Sequence, residues 1–281
     1  MLRAERDEVA RRHLEAAESW LRRLVHVQLA AKFGLDYLTS GGVLETREAR
    51  SVASTLSSLA TGARQVDGTT FGQLIKIAVS QKLYLDHFAE ALKECYPLGA
   101  EEAEFFLNQL RDIRNGIAHG RGVSDRNTEK AVCYSNDLAD AIKSYFRGRN
   151  LEREYNVPLI IRYSDSLGNE SHLEGLSLDL STRIIDWRRA GKGDLYPGDR
   201  LVVEVEVDPS FDRSSYKAKW NVLGKYAGSE DLTAEITITN DMVGEQFEIA
   251  FEVRSTRDWH RMWGMDDRLA LIFRVLPPQA Q

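Results

Sequence analysis

Two arginines, an asparagine and a histidine lie close together between residues 110 and 120, within an otherwise apolar helical pattern. Arg114 and Asn115 are followed by His119, and Arg111 precedes them. A guanidinium can hold phosphate oxygens through paired hydrogen bonds, and an imidazole can take up or release a proton near neutral pH. Such groups can cleave a phosphodiester without a metal, because the cation stabilises charge on the oxygens while the imidazole transfers the proton.

The spacing of these residues limits how they can meet. Arg111, Asn115 and His119 are four residues apart, so they share one face of a helix. Arg114 lies five residues before His119, about 140° away around the helix axis. A compact site therefore forms more easily if two copies of the motif face each other across a dimer, with the arginine of one chain and the histidine of the other at one phosphate.

RNA provides the nucleophile for this chemistry, because its ribose carries a 2′-hydroxyl next to the phosphate. We assign Arg114 to binding and polarising the phosphate and His119 to moving the proton, which leaves a cyclic phosphate end. Asn115 can orient the histidine, the ribose or a backbone group, and Arg111 adds positive charge for RNA binding. The sequence shows no phosphate-binding glycine loop, zinc-ligand pair or nucleophile elbow, so we expect neither a metal nor another cofactor.

The composition fits a folded protein without membrane contact. The chain has 281 residues, 43% of them hydrophobic and 28% charged, and no apolar run approaches the about 20 residues of a membrane span. Its two cysteines, Cys95 and Cys133, favour a reducing, cytoplasmic location over a disulfide framework. The net charge of −6 is uneven: residues 1–150 contain 21 basic and 20 acidic residues, and residues 151–281 contain 16 and 23. We therefore expect any RNA contact to be local and to lie in the first half.

The periodicity of apolar residues divides the chain into two regions and predicts a multidomain α+β protein. Residues 1–147 have helical spacing, which predicts an all-α helical bundle with helices that include residues 46–59, 100–117 and 129–146. Residues 148–156 are charged and predict a linker. From residue 157 to residue 281 the period changes to two, which predicts an all-β antiparallel sandwich of immunoglobulin-like architecture with Trp220 in its core.

The first half of the chain resembles the HEPN superfamily, a helical fold whose active members are metal-independent ribonucleases. The signature of that family is an arginine, a polar residue, three variable residues and a histidine, which here is Arg114-Asn115-Gly-Ile-Ala-His119. The resemblance extends to stretches before and after the motif, namely residues 20–25, 33–34, 71–77, 124–127 and 134–142. It implies a homodimer through the helical domain, with the two motifs at the interface, and a role in toxin–antitoxin systems, anti-phage defence or RNA processing.

Two interpretations of function stay open at this point. The first is an RNA endonuclease whose β-sandwich senses or docks an antitoxin, a phage component or a small ligand. The second is a non-catalytic module that dimerises and binds RNA through its helices and recognises a partner through its sandwich. In the second case Arg111 and Arg114 are structural and pair with Asp112, Glu104 or a helix terminus.

A second histidine, His260, lies in a stretch rich in acidic residues, tryptophan and methionine. Asp258, Asp266 and Asp267 accompany it, but the spacing matches no established metal-ligand pattern, so we interpret the stretch as an ordinary loop. Trp259 and Trp263, with the methionines between and after them, make the loop unusually apolar. Such a loop either contacts a partner or packs under the sandwich as part of its core.

Overall fold

The computed structural model describes residues 3–39, 42–58, 64–173, 182–226 and 230–278. The chain divides into two units, the first covering the described residues up to Asn156 and the second those from Val157 onward. Helices make up the first unit and strands dominate the second, so the prediction of a mixed α+β layout is confirmed.

The helices of the first unit follow the apolar periodicity closely. Among the described residues, none of them combines the length and the hydrophobicity that crossing a bilayer requires. A short 3-10 helix, Gln65–Gly68, precedes the third α-helix, and a π-helical turn, Tyr84–Phe88, leads into the fourth. The α-helices are α1 (Arg3–Phe33), α2 (Thr46–Ser58), α3 (Phe71–Ala78), α4 (Ala89–Leu92), α5 (Ala100–Ala118), α6 (Asp125–Gly148) and α7 (Glu152–Tyr155).

The core of the first unit is centred on the packing of α1 against α6. Leu14, Leu21 and Trp20 of α1 are all buried at helical spacing, and the ring of Trp20 lies 6.2 Å from that of Phe146 on α6. Each large apolar side chain that is fully buried stabilises the fold by about 1.5 to 3 kcal/mol. The residues predicted as a linker contain α7, and Asn156 at their end is buried.

The second unit contains two sheets. Its strands are β1 (Ile160–Asp165), β2 (Glu170–His172), β3 (Arg183–Asp186), β4 (Asp194–Leu195), β5 (Arg200–Val207), β6 (Tyr216–Val222), β7 (Lys225–Tyr226), β8 (Thr233–Thr237), β9 (Gly244–Ser255) and β10 (Asp267–Val275). One sheet has the order β2-β1-β5-β8 and the other the order β3-β10-β9-β6-β7, with β4 also paired to β10. Trp220 on β6 is fully buried, with its ring 4.6 Å from that of Phe251 on β9.

The prediction that this region is purely antiparallel is wrong for one sheet. Strands β3 and β4 both run parallel to β10, with Leu269 opposite Arg183 and Arg274 opposite Asp194. The alternation of apolar residues indicates that a segment is a strand and which face it buries. It does not indicate whether the strand pairs parallel or antiparallel with a strand distant in sequence. The second sheet is therefore mixed.

Candidate active site at the end of helix α5

Helix α5 ends in a glycine turn that fixes the position of His119. Gly120 has a φ angle of 67°, in the left-handed region that glycine adopts readily. Its N–H donates to the carbonyl of Ile117 over 2.9 Å, and the N–H of Arg121 donates to that of Gly116 over 3.0 Å. This pair of bonds is the Schellman motif, which closes helices at their carboxyl ends. His119 is thereby held as the last residue of the helical path.

The side chains of His119 and Asn115 are both exposed, and they lie one turn apart on α5. The backbone carbonyl of Asn115 accepts the N–H of His119 over 3.0 Å. Within the described part of the chain, no hydrogen bond or ion pair reaches either of these two side chains. Their polar atoms are therefore available to a ligand, as acid–base chemistry at His119 requires.

Arg114 is anchored to a carboxylate that the sequence analysis did not identify. Its Nε lies 2.9 Å from Oε2 of Glu18 on α1, whose side chain is only 4% exposed. The other oxygen of Glu18 pairs with Arg22 over 2.5 Å, so one buried carboxylate holds two guanidinium groups. The Arg114 side chain is still 42% exposed. The pair therefore positions Arg114 without enclosing it.

Arg111 has a more local partner. Its Nε and Nη2 donate to Oδ1 of the adjacent Asp112 over 3.2 and 3.0 Å, and both side chains are exposed enough for solvent to screen the pair. The expected structural pairing with Asp112 is thus confirmed for Arg111, whereas Arg114 pairs with Glu18 and not with Asp112 or Glu104. The exposed Arg121, directly after the motif, adds a cation that the sequence analysis did not single out.

The first turns of α1 hold the turn that follows the motif. Arg3 donates through Nη2 to the carbonyl of Gly120 over 2.9 Å. The carboxylate of Asp7 accepts the N–H of Val123 over 2.7 Å. Gly122 passes so close to Arg3 that a Cβ there would lie 2.4 Å from the arginine Nε. The position of His119 therefore depends on contacts with residues more than 110 positions earlier in the chain.

Within one chain, Arg114 and His119 lie on different faces of α5. Among the described residues, no hydrogen bond or ion pair joins the two, and their positions on α5 are about 140° apart. The expectation that a site needs two copies of the motif is consistent with this geometry and stays a prediction.

His260, in the second unit, has no spare capacity for a metal. Its Nε2 accepts a hydrogen bond from Nε of Arg254 over 3.0 Å, and its Nδ1 lies 3.3 Å from Oδ2 of Asp266. The imidazole side chain is 7% exposed and the Asp266 side chain is fully buried. Because both ring nitrogens are used within the protein, the interpretation of this histidine as structural is favoured. The described residues also contain no group of three or more His, Cys, Asp or Glu that could hold a metal ion.

The apolar loop after His260 forms a tight turn. Met262 and Met265 exchange both backbone hydrogen bonds, at 2.8 and 2.7 Å, and Gly264 between them has a φ angle of 85°. Met262 is buried, whereas Trp263 at the tip is 96% exposed. Trp259, which is 37% exposed, lies under the guanidinium of Arg257 at 4.9 Å. One side chain of the loop is thus packed, whereas another is exposed at its tip, and contact with a partner stays a prediction.

The chain matches no protein-family model, no curated protein and no solved structure. The resemblance to the HEPN superfamily therefore depends on the residues of the motif and the stretches around it.

Proposed function

We propose that this protein is a metal-independent RNA endonuclease of the HEPN type, which acts in the cytoplasm as a homodimer through its helical unit. The observation that carries the proposal is the state of His119. It is exposed, it is fixed at the end of α5 by the glycine turn, and its side chain has no bonding partner among the described residues. A histidine with a defined position and free ring nitrogens is suited to proton transfer.

The proposed reaction divides between His119 and Arg114. His119 accepts the proton of the ribose 2′-hydroxyl, the 2′-oxygen forms a bond to phosphorus, and the bond from phosphorus to the 5′-oxygen breaks as that oxygen takes the proton from His119. Arg114 stabilises the charge on the non-bridging oxygens. Glu18 holds Arg114 through Nε, which limits the conformational freedom that the guanidinium loses when it binds phosphate. The products are a cyclic phosphate and a free 5′-hydroxyl.

A homodimer resolves the separation of the two groups on α5. If two α5 helices meet, Arg114 of one chain can approach His119 of the other, whereas on a single helix the two residues lie on different faces. We propose that the second unit is a β-sandwich that restrains or directs this activity in a toxin–antitoxin or anti-phage system. The exposed Trp263 is the side chain we assign to contact with an antitoxin, a phage component or a ligand, because exposed tryptophan is typical of interface anchors.

The test is cleavage of single-stranded RNA by the purified protein in excess chelator. We expect His119→Ala to lower the cleavage rate by about 100- to 10,000-fold and Arg114→Ala by about 100- to 1,000-fold. His172→Ala and Arg149→Ala are matched controls and should retain the wild-type rate: His172 is 63% exposed on β2, and Arg149 is an exposed arginine paired with Glu90. Cleavage by the His119→Ala protein at the wild-type rate would contradict the proposal.

The dimer has its own measurement. Light scattering after size exclusion at several concentrations should give the mass of two chains. Mixing the inactive His119→Ala and Arg114→Ala proteins should restore part of the cleavage, because half of the composite sites in a mixed dimer then contain both groups. A species that stays monomeric while cleaving RNA would remove the composite site.

The ion pair between Arg114 and Glu18 favours a second candidate function. A guanidinium bound to a buried carboxylate can serve the packing of α5 on α1 alone, in which case the chain is a non-catalytic module that dimerises and binds RNA. That function predicts RNA binding and a dimer without cleavage, and a loss of stability in Arg114→Ala with no change in any activity.

A further inference from the structure

A cleft of about 230 Å³ opens beside the candidate active site, between α5 and the first turns of α6. Two glycines near the motif line the cleft. Gly116 is next to Asn115 in the chain, and Gly122 follows His119 by three residues. The cleft is smaller than the about 300 to 1,000 Å³ of pockets for drug-sized ligands. It is therefore suited to one flat group attached to a larger ligand that continues over the motif.

Half of the residues that line the cleft are apolar or small, and half are polar or charged. Ile113 and Val123 are both less than 9% exposed and form an apolar surface, and Gly116, where a Cβ would meet nothing within 4 Å, leaves room for a ring. The remaining lining residues are Gln109, Asp112, Asn127 and Lys130. Single-stranded RNA is recognised by such sites, in which an unstacked base is inserted and hydrogen-bonded along its edges.

The charged groups of the cleft select among the four bases. The ammonium of Lys130 is held by a 2.7 Å bond to Oε1 of Gln109 and keeps further donor capacity. Both bonds from Arg111 end on Oδ1 of Asp112, so Oδ2 of that carboxylate is the oxygen left to accept. A base that fits must present acceptors to an ammonium and N–H donors to a carboxylate. All four bases carry both kinds of group, but guanine presents two adjacent acceptors, O6 and N7, which are the commonest base contact of lysine and arginine, and it also presents N–H donors at N1 and N2 to a carboxylate.

We propose that this cleft binds a guanine base next to the scissile phosphate, with Lys130 and Asp112 as the residues that determine base preference. The inference rests on the proposed function, because it places the base beside a phosphate bound by His119 of the same chain and by Arg114 of the partner subunit. It makes the endonuclease selective for single-stranded RNA with guanosine at one position flanking the cut.

The first test maps the cleavage ends that the wild-type dimer produces from a pool of RNA with randomised sequence. We expect guanosine to be enriched at one position beside the cut by about ten-fold, and the enrichment to disappear in Asp112→Asn and Lys130→Gln. Lys93→Gln is the matched control. Lys93 is in the same unit but lines a different groove, to which α6 also contributes. It should keep the guanosine preference. Cleavage without base preference, or a preference that survives both substitutions, would overturn the proposal.

The second test separates this inference from the endonuclease activity. The His119→Ala protein is titrated against labelled ten-nucleotide uridine RNAs that carry one central guanosine, adenosine or cytidine, and binding is followed by fluorescence anisotropy. We expect the guanosine RNA to bind about ten-fold more tightly and to lose that advantage when Asp112→Asn is added. If the wild-type protein cleaves no RNA, the proposed function fails. The binding preference then shows by itself whether the cleft recognises guanine. Equal binding of the RNAs would refute it.

Discussion

Two histidines of this chain, His119 and His260, have arginines and carboxylates nearby in sequence. They differ in exposure and in the bonding of their ring nitrogens. His260 is buried, and its two ring nitrogens bond to Arg254 and Asp266. His119 is exposed at the end of α5 and has no such partner among the described residues. The first imidazole completes a network inside the protein, whereas the second leaves its bonding capacity for something outside the chain.

The difference shows that residue types in a short stretch do not separate a structural histidine from a functional one. Buried polar groups are almost always hydrogen-bonded, because an unpaired one costs about 1 to 3 kcal/mol. A satisfied network such as that of His260 is therefore explained by folding alone. An exposed histidine that backbone bonds hold in place is not explained in that way, which is why the candidate site is assigned to α5.

Substitution of each histidine in turn is the strongest test of whether His260 is structural and His119 is not. We expect His260→Ala to lower the free energy of unfolding by about 3 kcal/mol, because it leaves a cavity and takes a partner from the buried Asp266. His119→Ala should change it by less than about 0.5 kcal/mol, as is usual for exposed positions. Urea denaturation of the purified variants measures both values. Equal losses for the two variants would show that His119 is also structural.

A third histidine, His26, sharpens the comparison through pH. Its Nδ1 lies 3.0 Å from the hydroxyl of Tyr37, and burial, followed by the charge of Arg64, lowers its pKa from 6.5 to about 4. The native state thus keeps this imidazole neutral, while the unfolded chain binds a proton near pH 6.5. The free energy of unfolding should therefore fall by about 2 kcal/mol as the pH falls from about 6.5 to about 4. This value is smaller than the full pKa shift would give, because solvent screens a partly exposed group.

The measurement is urea denaturation at several pH values for the wild type and for His26→Gln. The difference between the two curves isolates His26 from the carboxylates that also titrate in this range. A difference that stays constant between pH 7 and pH 4 would contradict the neutral state of His26 in the folded protein.

The smallest expected effect concerns the turn that holds His119. Gly122 has a φ angle of 71° and lies against Arg3, so Gly122→Ala should lower the free energy of unfolding by about 1 kcal/mol. Gly148→Ala is the control, because a Cβ there meets nothing within 4 Å at the end of α6. It should leave the stability unchanged or raise it slightly. A thermal melt of each variant tests the pair, and a destabilised Gly148→Ala would undermine the argument.

The sequence predicts the local part of this structure well. The apolar period and the glycine after His119 indicate that a helix ends there, and α5 spans Ala100–Ala118 where residues 100–117 were expected. The position of Asn115 and His119 on one face of the helix also follows from their spacing. These features are encoded within a few turns of chain, where side-chain periodicity is informative.

The parts that were missed depend on residues far apart in the chain. Glu18 reaches Arg114 across 96 positions, and no local pattern distinguishes it from Glu15 or Glu8 on the same helix. Arg3 and Asp7 reach the turn after the motif in the same way. Such contacts depend on how α1 packs on α5, which a single sequence does not specify.

The parallel pairing of β10 with β3 and β4 has a consequence for how the second unit assembles. Strand β10 lies between β9 on one side and β3 and β4 on the other, so these two short strands have no sheet to join until a segment about 80 residues later has been made. Closing such a long loop costs entropy before any pairing offsets it, which slows folding. During synthesis, β3 and β4 therefore stay unpaired until β10 has been made, and unpaired strand edges are prone to aggregation.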